Sequence, residues 1–164
     1  MTHGTGLLAI EAAECRDMGM GAEEIAAHLN ELKDKVSTSF VLDTLEFMWK
    51  GGRCTSVAAF GANLLSIKPA LHMQYGRLEI YKKYRGNMEK VYRQYITEQL
   101  EGKSIRPGHI FLTESGEIAP EIIEKLMMRI KVLSGCEEIH HTVAGSTISS
   151  HCGPKTLGVL YIEE

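Results

Sequence analysis

The order in which hydrophobic periodicities follow one another is the strongest constraint on how this chain can fold. Helical spacing covers residues 7–18, with Leu7, Leu8, Ile10, Ala13 and Cys15 on a loose stripe. It returns over residues 22–36, where Ile25, Leu29 and Leu32 share a face and Glu23, Glu24, Lys33 and Asp34 lie off it. Residues 37–43 are rich in β-branched and aromatic side chains and predict a strand. Asp43 or Thr44 then offers a side-chain oxygen to cap a helix over 45–50. A helix of small residues is expected over 55–65, and an extended segment around Pro69 over 66–73. Gln74-Tyr75-Gly76 reads as a turn, with the return strand of a hairpin over 77–84. Further helices are expected over 87–100 and 117–133, strands over 109–113, 137–143 and 157–162, and a short helix over 146–150. Helices that alternate with strands around one hairpin predict an α/β fold, a mixed β-sheet covered by helices.

The length of 164 residues suits one domain with a real core. A net charge of −3 argues against a nucleic-acid partner, since such domains concentrate basic charge on one face. No apolar run approaches the ~20 residues a membrane-spanning helix requires. The opening residues lack the positive start and cleavage site of a secretory signal, so a cytoplasmic protein is expected. Cys15, Cys54, Cys136 and Cys152 are widely spaced and form no Cys-x-x-Cys pair, so four free thiols are expected. The chain enters its first helix directly after Thr2-His3-Gly4-Thr5-Gly6, with no leading strand. A domain of this class that begins so is expected to be the downstream part of something longer.

Two segments carry the chemistry. In Lys50-Gly51-Gly52-Arg53 the glycines end a helix; they also let a ligand or backbone approach closely while Arg53 meets an anion. A guanidinium suits a carboxylate because its planar fork donates two parallel hydrogen bonds. In Ser149-Ser150-His151-Cys152-Gly153-Pro154, hydroxyls, an imidazole and a thiol precede a Gly-Pro turn. That set could hold a carboxylate, act as nucleophile and base, or form a turn histidine with no special task. His140 and His141 are strand neighbours that point to opposite faces, and no ligand-spaced motif joins His141 to His151, so no metal or other cofactor is expected. Gly4-Thr5-Gly6 is only a partial G-x-G with no preceding strand, a weak nucleotide signal. Thr44, Leu45, Met48, Phe60, Leu64, Leu65 and Ile67, interleaved with small residues, make the densest apolar cluster. It reads as ordinary core or as the wall of a site for an alkyl chain.

Several segments in register resemble the DegV family of bacterial fatty-acid-binding proteins. They are Gly4-Thr5-Gly6-Leu7-Leu8 before Glu11-Ala12-Ala13-Glu14, and Phe40-Val41-Leu42-Asp43-Thr44-Leu45-Glu46-Phe47. Lys50-Gly51-Gly52-Arg53, Leu64-Leu65-Ser66-Ile67-Lys68-Pro69, Tyr84-Arg85-Gly86 and His151-Cys152-Gly153-Pro154 followed by Leu157-Gly158-Val159 complete the set. The resemblance implies that residues 1–164 form a single domain like the second, C-terminal domain of such proteins, with 1–35 a helical lead-in that packs on a missing upstream domain. It implies a long-chain fatty acid held between two domains, its carboxylate gripped by upstream hydroxyls and by His151, with Arg53 close by. Leu45, Met48, Phe60, Leu64 and Ile67 would line the tail, and Arg85 would dock a partner fatty acid kinase subunit. The chain would bind and present the acid without carrying out the ATP chemistry. It departs from the family pattern at Cys152, where Thr or Ser is usual, and at Lys155, where Gly is usual. The competing readings are an acyl hydrolase or transferase that uses Cys152 or a nearby serine, and a truncated remnant that binds no acid and self-associates through an exposed interdomain face.

Overall fold

A computed structural model describes residues 2–52, 67–74 and 76–164. The elements are α1 (Thr2–Asp17), α2 (Ala22–Leu32), β1 (Val36–Val41), α3 (Glu46–Lys50), β2 (Lys68–Gln74), β3 (Arg77–Tyr84) and α4 (Met88–Leu100). They continue with β4 (His109–Glu114), α5 (Pro120–Ser134), β5 (Glu138–Val143), α6 (Ser146–Cys152) and β6 (Leu157–Ile162). The helix expected over 55–65 lies outside the described residues.

The sheet is mixed, as the alternation predicted, with strand order β3-β2-β1-β6-β4-β5. Only β4 and β5 run parallel, joined through α5; every other neighbouring pair is antiparallel. One face packs against α4 and α5, where Val91, Tyr95, Ile96, Leu100, Leu126 and Ile130 meet Ile110, Leu112, Val159 and Tyr161. This is the main core, and its polar interruption is internally satisfied. Val159 N–H donates to Tyr95 Oη at 3.1 Å, Tyr95 Oη lies 2.8 Å from Ser39 Oγ, and Ser39 donates to Gln99 Oε1 at 2.9 Å. Buried polar groups cost little when paired this way and much when they are not.

The other face carries two smaller clusters. Leu7 and Leu32, from the first two helices, cover Leu160 and Ile162. Leu42, Leu45 and Met48 cover Leu71 together with Phe40, Leu78, Ile80 and Cys152.

The departures from the sequence reading have local causes. The first helix starts at Thr2 rather than at residue 7 and absorbs Gly4 and Gly6. A Cβ on Gly4 would lie 3.2 Å from Thr38 Oγ1, and one on Gly6 4.0 Å from the Phe111 ring. Gly4 therefore lets α1 lie close on the sheet, a methyl at Gly6 would make only ordinary contact, and the pair does not form a phosphate loop. The helix expected to run to residue 36 ends at Leu32; a 3-10 turn over Lys33–Lys35 leads into β1. The helix expected from residue 117 begins at Pro120, because a residue before proline avoids the helical region and Ala119 is extended (ψ 137°). Residues 151 and 152, expected in a turn, form the last turn of α6. Their amides still have carbonyl acceptors there, and the chain turns only at Gly153, with φ 77°.

Candidate functional site

Strand register brings six strand ends to one end of the sheet. Val41 pairs with Ala70 and Leu157, Leu157 with Glu114, Glu114 with Val143, and Lys68 with Tyr84. From this end the chain leaves β1 into α3 and β5 into α6, and these two short helices pack on each other. Lys68 fixes the start of the α3 connection, bonding the Asp43 carbonyl at 3.0 Å and the Asp43 carboxylate through Oδ1. Of the two capping candidates, Thr44 is the one that acts: its hydroxyl accepts from Glu46 N–H at 3.2 Å.

A cavity of about 720 Å³ opens on the face that carries α1. Thr38, Phe40, Thr113, Gly158 and Leu160 line it from the strands; His3 lines it from α1, Met48 from α3, and Ser146, Thr147, Ile148, His151 and Cys152 from α6. Volumes of this order are typical of small-molecule sites. Gly158 keeps β6 close to β1: a Cβ there would lie 3.0 Å from the Ser39 carbonyl and 3.2 Å from Phe40 Cβ.

The two sequence motifs meet beside this cavity. A Cβ placed on Gly51 would lie 2.7 Å from His151 Nδ1 and 3.1 Å from the Phe47 carbonyl. The imidazole therefore rests against bare backbone, and the two glycines divide the tasks read from them. Gly51, with φ −77°, provides the close approach; Gly52, with φ 65°, provides the left-handed turn that ends α3. On the opposite side, Gly153 sits under the Phe47 ring, whose carbons would lie 2.3–2.9 Å from an added Cβ. The H-C-G-P segment is thus clamped on α3 by backbone contact.

Several hydroxyls near the cavity are committed to the fold. Thr113 and Thr142 hydroxyls bond at 2.8 Å, Ser149 donates to the Ala144 carbonyl at 3.1 Å, and Ser150 to the Thr147 carbonyl at 3.0 Å. Thr156 donates to the Cys152 carbonyl at 3.1 Å. Ser149 and Ser150 are therefore helix-bonded hydroxyls, while Ser146, Thr147 and His151 are the polar side chains α6 presents along the cavity. Cys152 is half-buried beside the Leu45–Met48 cluster, and burial pushes its thiol up. Cys15, Cys136 and Cys152 are free thiols.

Among the expected site residues, His151 and Met48 line the cavity. Leu45 is fully buried in the cluster behind Met48, and Ile67 is buried without reaching the described wall. Arg53, Phe60 and Leu64 lie outside the described residues. Arg85 is exposed just after β3, at the same end of the sheet. The sequence reading missed Ser146, Thr147, Ile148 and Leu78 as lining residues. The run Ala144-Gly145-Ser146-Thr147 was the available signal, because small and hydroxylated residues between a strand and a helix leave room for a ligand.

A model of the DegV family of uncharacterised proteins matches residues 1–164. The chain belongs to the DegV family. A DegV domain-containing protein of Clostridium perfringens is 32% identical over 97% of this chain and 54% of its own length. The chain thus spans little more than half the length of the curated relatives it matches. A DegV family protein of Thermus thermophilus, solved in a study of its fatty acid binding, is 29% identical with a TM-score of 0.76 and covers 98% of this chain and 57% of that one. The Streptococcus pneumoniae fatty acid kinase B3 protein, crystallised with linoleic acid, shares the fold at 20% identity and a TM-score of 0.76, over 96% of this chain and 55% of that one. No helix among the described residues is long and apolar enough to cross a membrane.

Proposed function

We propose that this DegV domain holds the carboxylate end of a long-chain fatty acid in the cavity between α1 and α6 and presents it to a fatty acid kinase subunit. The observation that carries this reading is the seating of His151 against Gly51 at the wall of a cavity of about 720 Å³. A carboxylate leaving water needs paired donors or a cation. The imidazole of His151 and the hydroxyls of Ser146 and Thr147 supply donors along the wall. Arg53, next in the chain after the Gly52 turn, supplies the guanidinium. Met48, Phe40, Leu78, Ile148 and Leu160 supply an apolar surface for the tail. The fatty acid binding described for the Thermus protein and the linoleic acid of the Streptococcus one fit this division into polar head and apolar tail.

In this reading Arg85 docks the kinase subunit, since it is exposed and lies at the end of the sheet where α3 and α6 emerge. The domain's role is carriage, with phosphoryl transfer left to the partner. Cys152 fits that role: a nucleophilic cysteine needs a lowered pKa, and burial moves this one the other way. Residues 1–35 serve two sides, with α1 lying on this chain's own sheet while His3 reaches the cavity.

The test is titration of the purified chain with oleate and palmitate, alongside mass spectrometry of the protein isolated under native conditions. The reading expects saturable binding that His151→Ala and Arg53→Ala each weaken by roughly tenfold or more, the scale of a charge-assisted hydrogen bond. An unliganded protein that also ignores both added acids refutes it. Rapid, stoichiometric reaction of Cys152 with iodoacetamide at neutral pH would favour the acyl hydrolase or transferase instead.

A further inference from the structure

At the end of β4 and β5 away from Glu114 and Val143, three potential ligands converge on the face that α1 covers. His109 opens β4 and is the register partner of Glu138 at the start of β5; Phe111 is the partner of His140. Side chains two apart on a strand share a face, so His109, Glu138 and His140 project together at the edge of the sheet. Their ligand atoms all lie within 4.8 Å of one another. His109 Nδ1 and His140 Nε2 are 2.8 Å apart, and the two rings are stacked with centroids 5.0 Å apart.

From these positions we propose that His109, His140 and Glu138 form a binding site for a transition-metal dication of the zinc type. It is independent of the acyl site. Imidazole nitrogen and carboxylate oxygen are the donors zinc prefers outside thiolate sites. Two nitrogens bound to one tetrahedral zinc lie about 3.3 Å apart, since each Zn–N bond is about 2.0–2.1 Å. The rings therefore need to separate by only about half an ångström.

A second set of groups already holds the first. The other ring nitrogen of His109, Nε2, lies 2.9 Å from Glu14 Oε1 on α1. A carboxylate only accepts, so His109 carries its proton on Nε2 and leaves the Nδ1 lone pair aimed at His140. This is the carboxylate–histidine–metal relay that orients ligating imidazoles and raises their basicity. His140 Nε2 donates to that lone pair in the metal-free form. It becomes a ligand when its proton moves to Nδ1, so the neutral pair binds the dication with no net loss of protons. The Phe111 ring, 5.1 Å from that of His140, walls off one side, while exposed Glu138 leaves an entry path and a fourth position for water.

A neighbouring cluster makes a useful contrast. Glu11, Cys15 and His28 are equally close to one another, but Arg106 Nη2 stands 2.6 Å from Glu11 Oε1 and already supplies a cation there.

Isothermal titration of the tag-free chain with zinc chloride tests the proposal, with cobalt(II) as spectroscopic probe. One equivalent is expected to bind, with affinity lowered at least tenfold in His140→Ala and also in Glu138→Gln, whose exposed position leaves folding intact. Glu14→Gln should weaken binding roughly tenfold, the effect of losing an outer-shell carboxylate. His151→Ala should leave it unchanged. The cobalt spectrum should show tetrahedral d–d bands without a thiolate charge-transfer band. No saturable uptake overturns the site. Uptake unchanged in both the His140 and Glu138 variants, or a thiolate band that Cys15→Ser abolishes, overturns it as well.

Discussion

Single atoms decide the geometry around His151. The methyl group of Gly51→Ala would fall inside the contact distance of the imidazole, so the ring must move. Because His151 is only half-buried, it can move with little cost to the fold. Gly51→Ala is therefore expected to weaken oleate binding roughly tenfold, the scale of one lost hydrogen bond to a charged group. A titration of the variant reads that change, and its melting temperature should stay within a few degrees of the parent's. Lys155 is the opposite case: an exposed side chain at φ 57°, a left-handed position where the family usually has glycine. Left-handed backbone costs a non-glycine residue about 1–2 kcal/mol, and glycine's greater freedom when unfolded returns about 0.5–1 kcal/mol of that. Lys155→Gly should raise unfolding stability by about 0.5–1 kcal/mol in a urea melt. Neither effect was legible in the residues alone. Gly51 read more readily as a helix cap, and its meeting with His151 joins segments far apart in sequence.

At the scale of elements, the first two helices are held to the sheet by a charged knot as well as by leucines. Glu11 is almost fully buried, and its Oε1 receives Arg106 Nη2 at 2.6 Å and His28 Nε2 at 2.8 Å, linking α1, α2 and the approach to β4. Burial acts to raise the Glu11 carboxyl's pKa, but the bonds from His28 and Arg106 outweigh it and hold the group below its usual 4.5. A carboxylate whose pKa is lowered by folding stabilises the native state above its unfolded pKa. That stabilisation drains away as pH falls through the lower, folded value. The urea midpoint should thus decline as pH falls below about 4.5. In Arg106→Met that decline should flatten, with about 2–3 kcal/mol lost at neutral pH because the carboxylate keeps only His28.

Elements were the most legible level in the sequence. β3 and β6 follow the expected bounds, because turn residues bracket both and neither has a helical competitor. Helix starts were harder, since Gly4 and Gly6 lower helix propensity. The compensation at Gly4, close packing on Thr38, is tertiary and invisible in a local window.

For the whole molecule, the sequence yielded the sheet's composition and its helical cover, but not its strand order. It singled out His151, which lines the cavity, and missed the rest of the wall built by α6. Around that cavity the surface is unusually apolar: Val143 is 62% exposed, Trp49 58%, and Ile148 and Phe47 more than a third. Such a patch on one end of a domain favours association. Light scattering of the chain at high concentration should therefore show a dimer or larger species. Val143→Lys with Ile148→Lys should return it to a monomer. Trp49, the chain's one tryptophan, sits on α3 beside this end and should report acyl binding as a change in its emission.

The position of β6 has a consequence for how the protein is made. Every residue of this strand is buried, and it lies between β1 and β4, so it alone joins the antiparallel β1–β2–β3 ribbon to the parallel β4–β5 pair. Before β6 is in place the two halves of the sheet have no seam. A nascent chain stalled before Leu157 should stay open to protease. The same chain released a few residues beyond Ile162 should close into a resistant core. Closure of this sheet thus waits on β6, and until then the raw edges of β1 and β4 are surfaces for chaperones to guard.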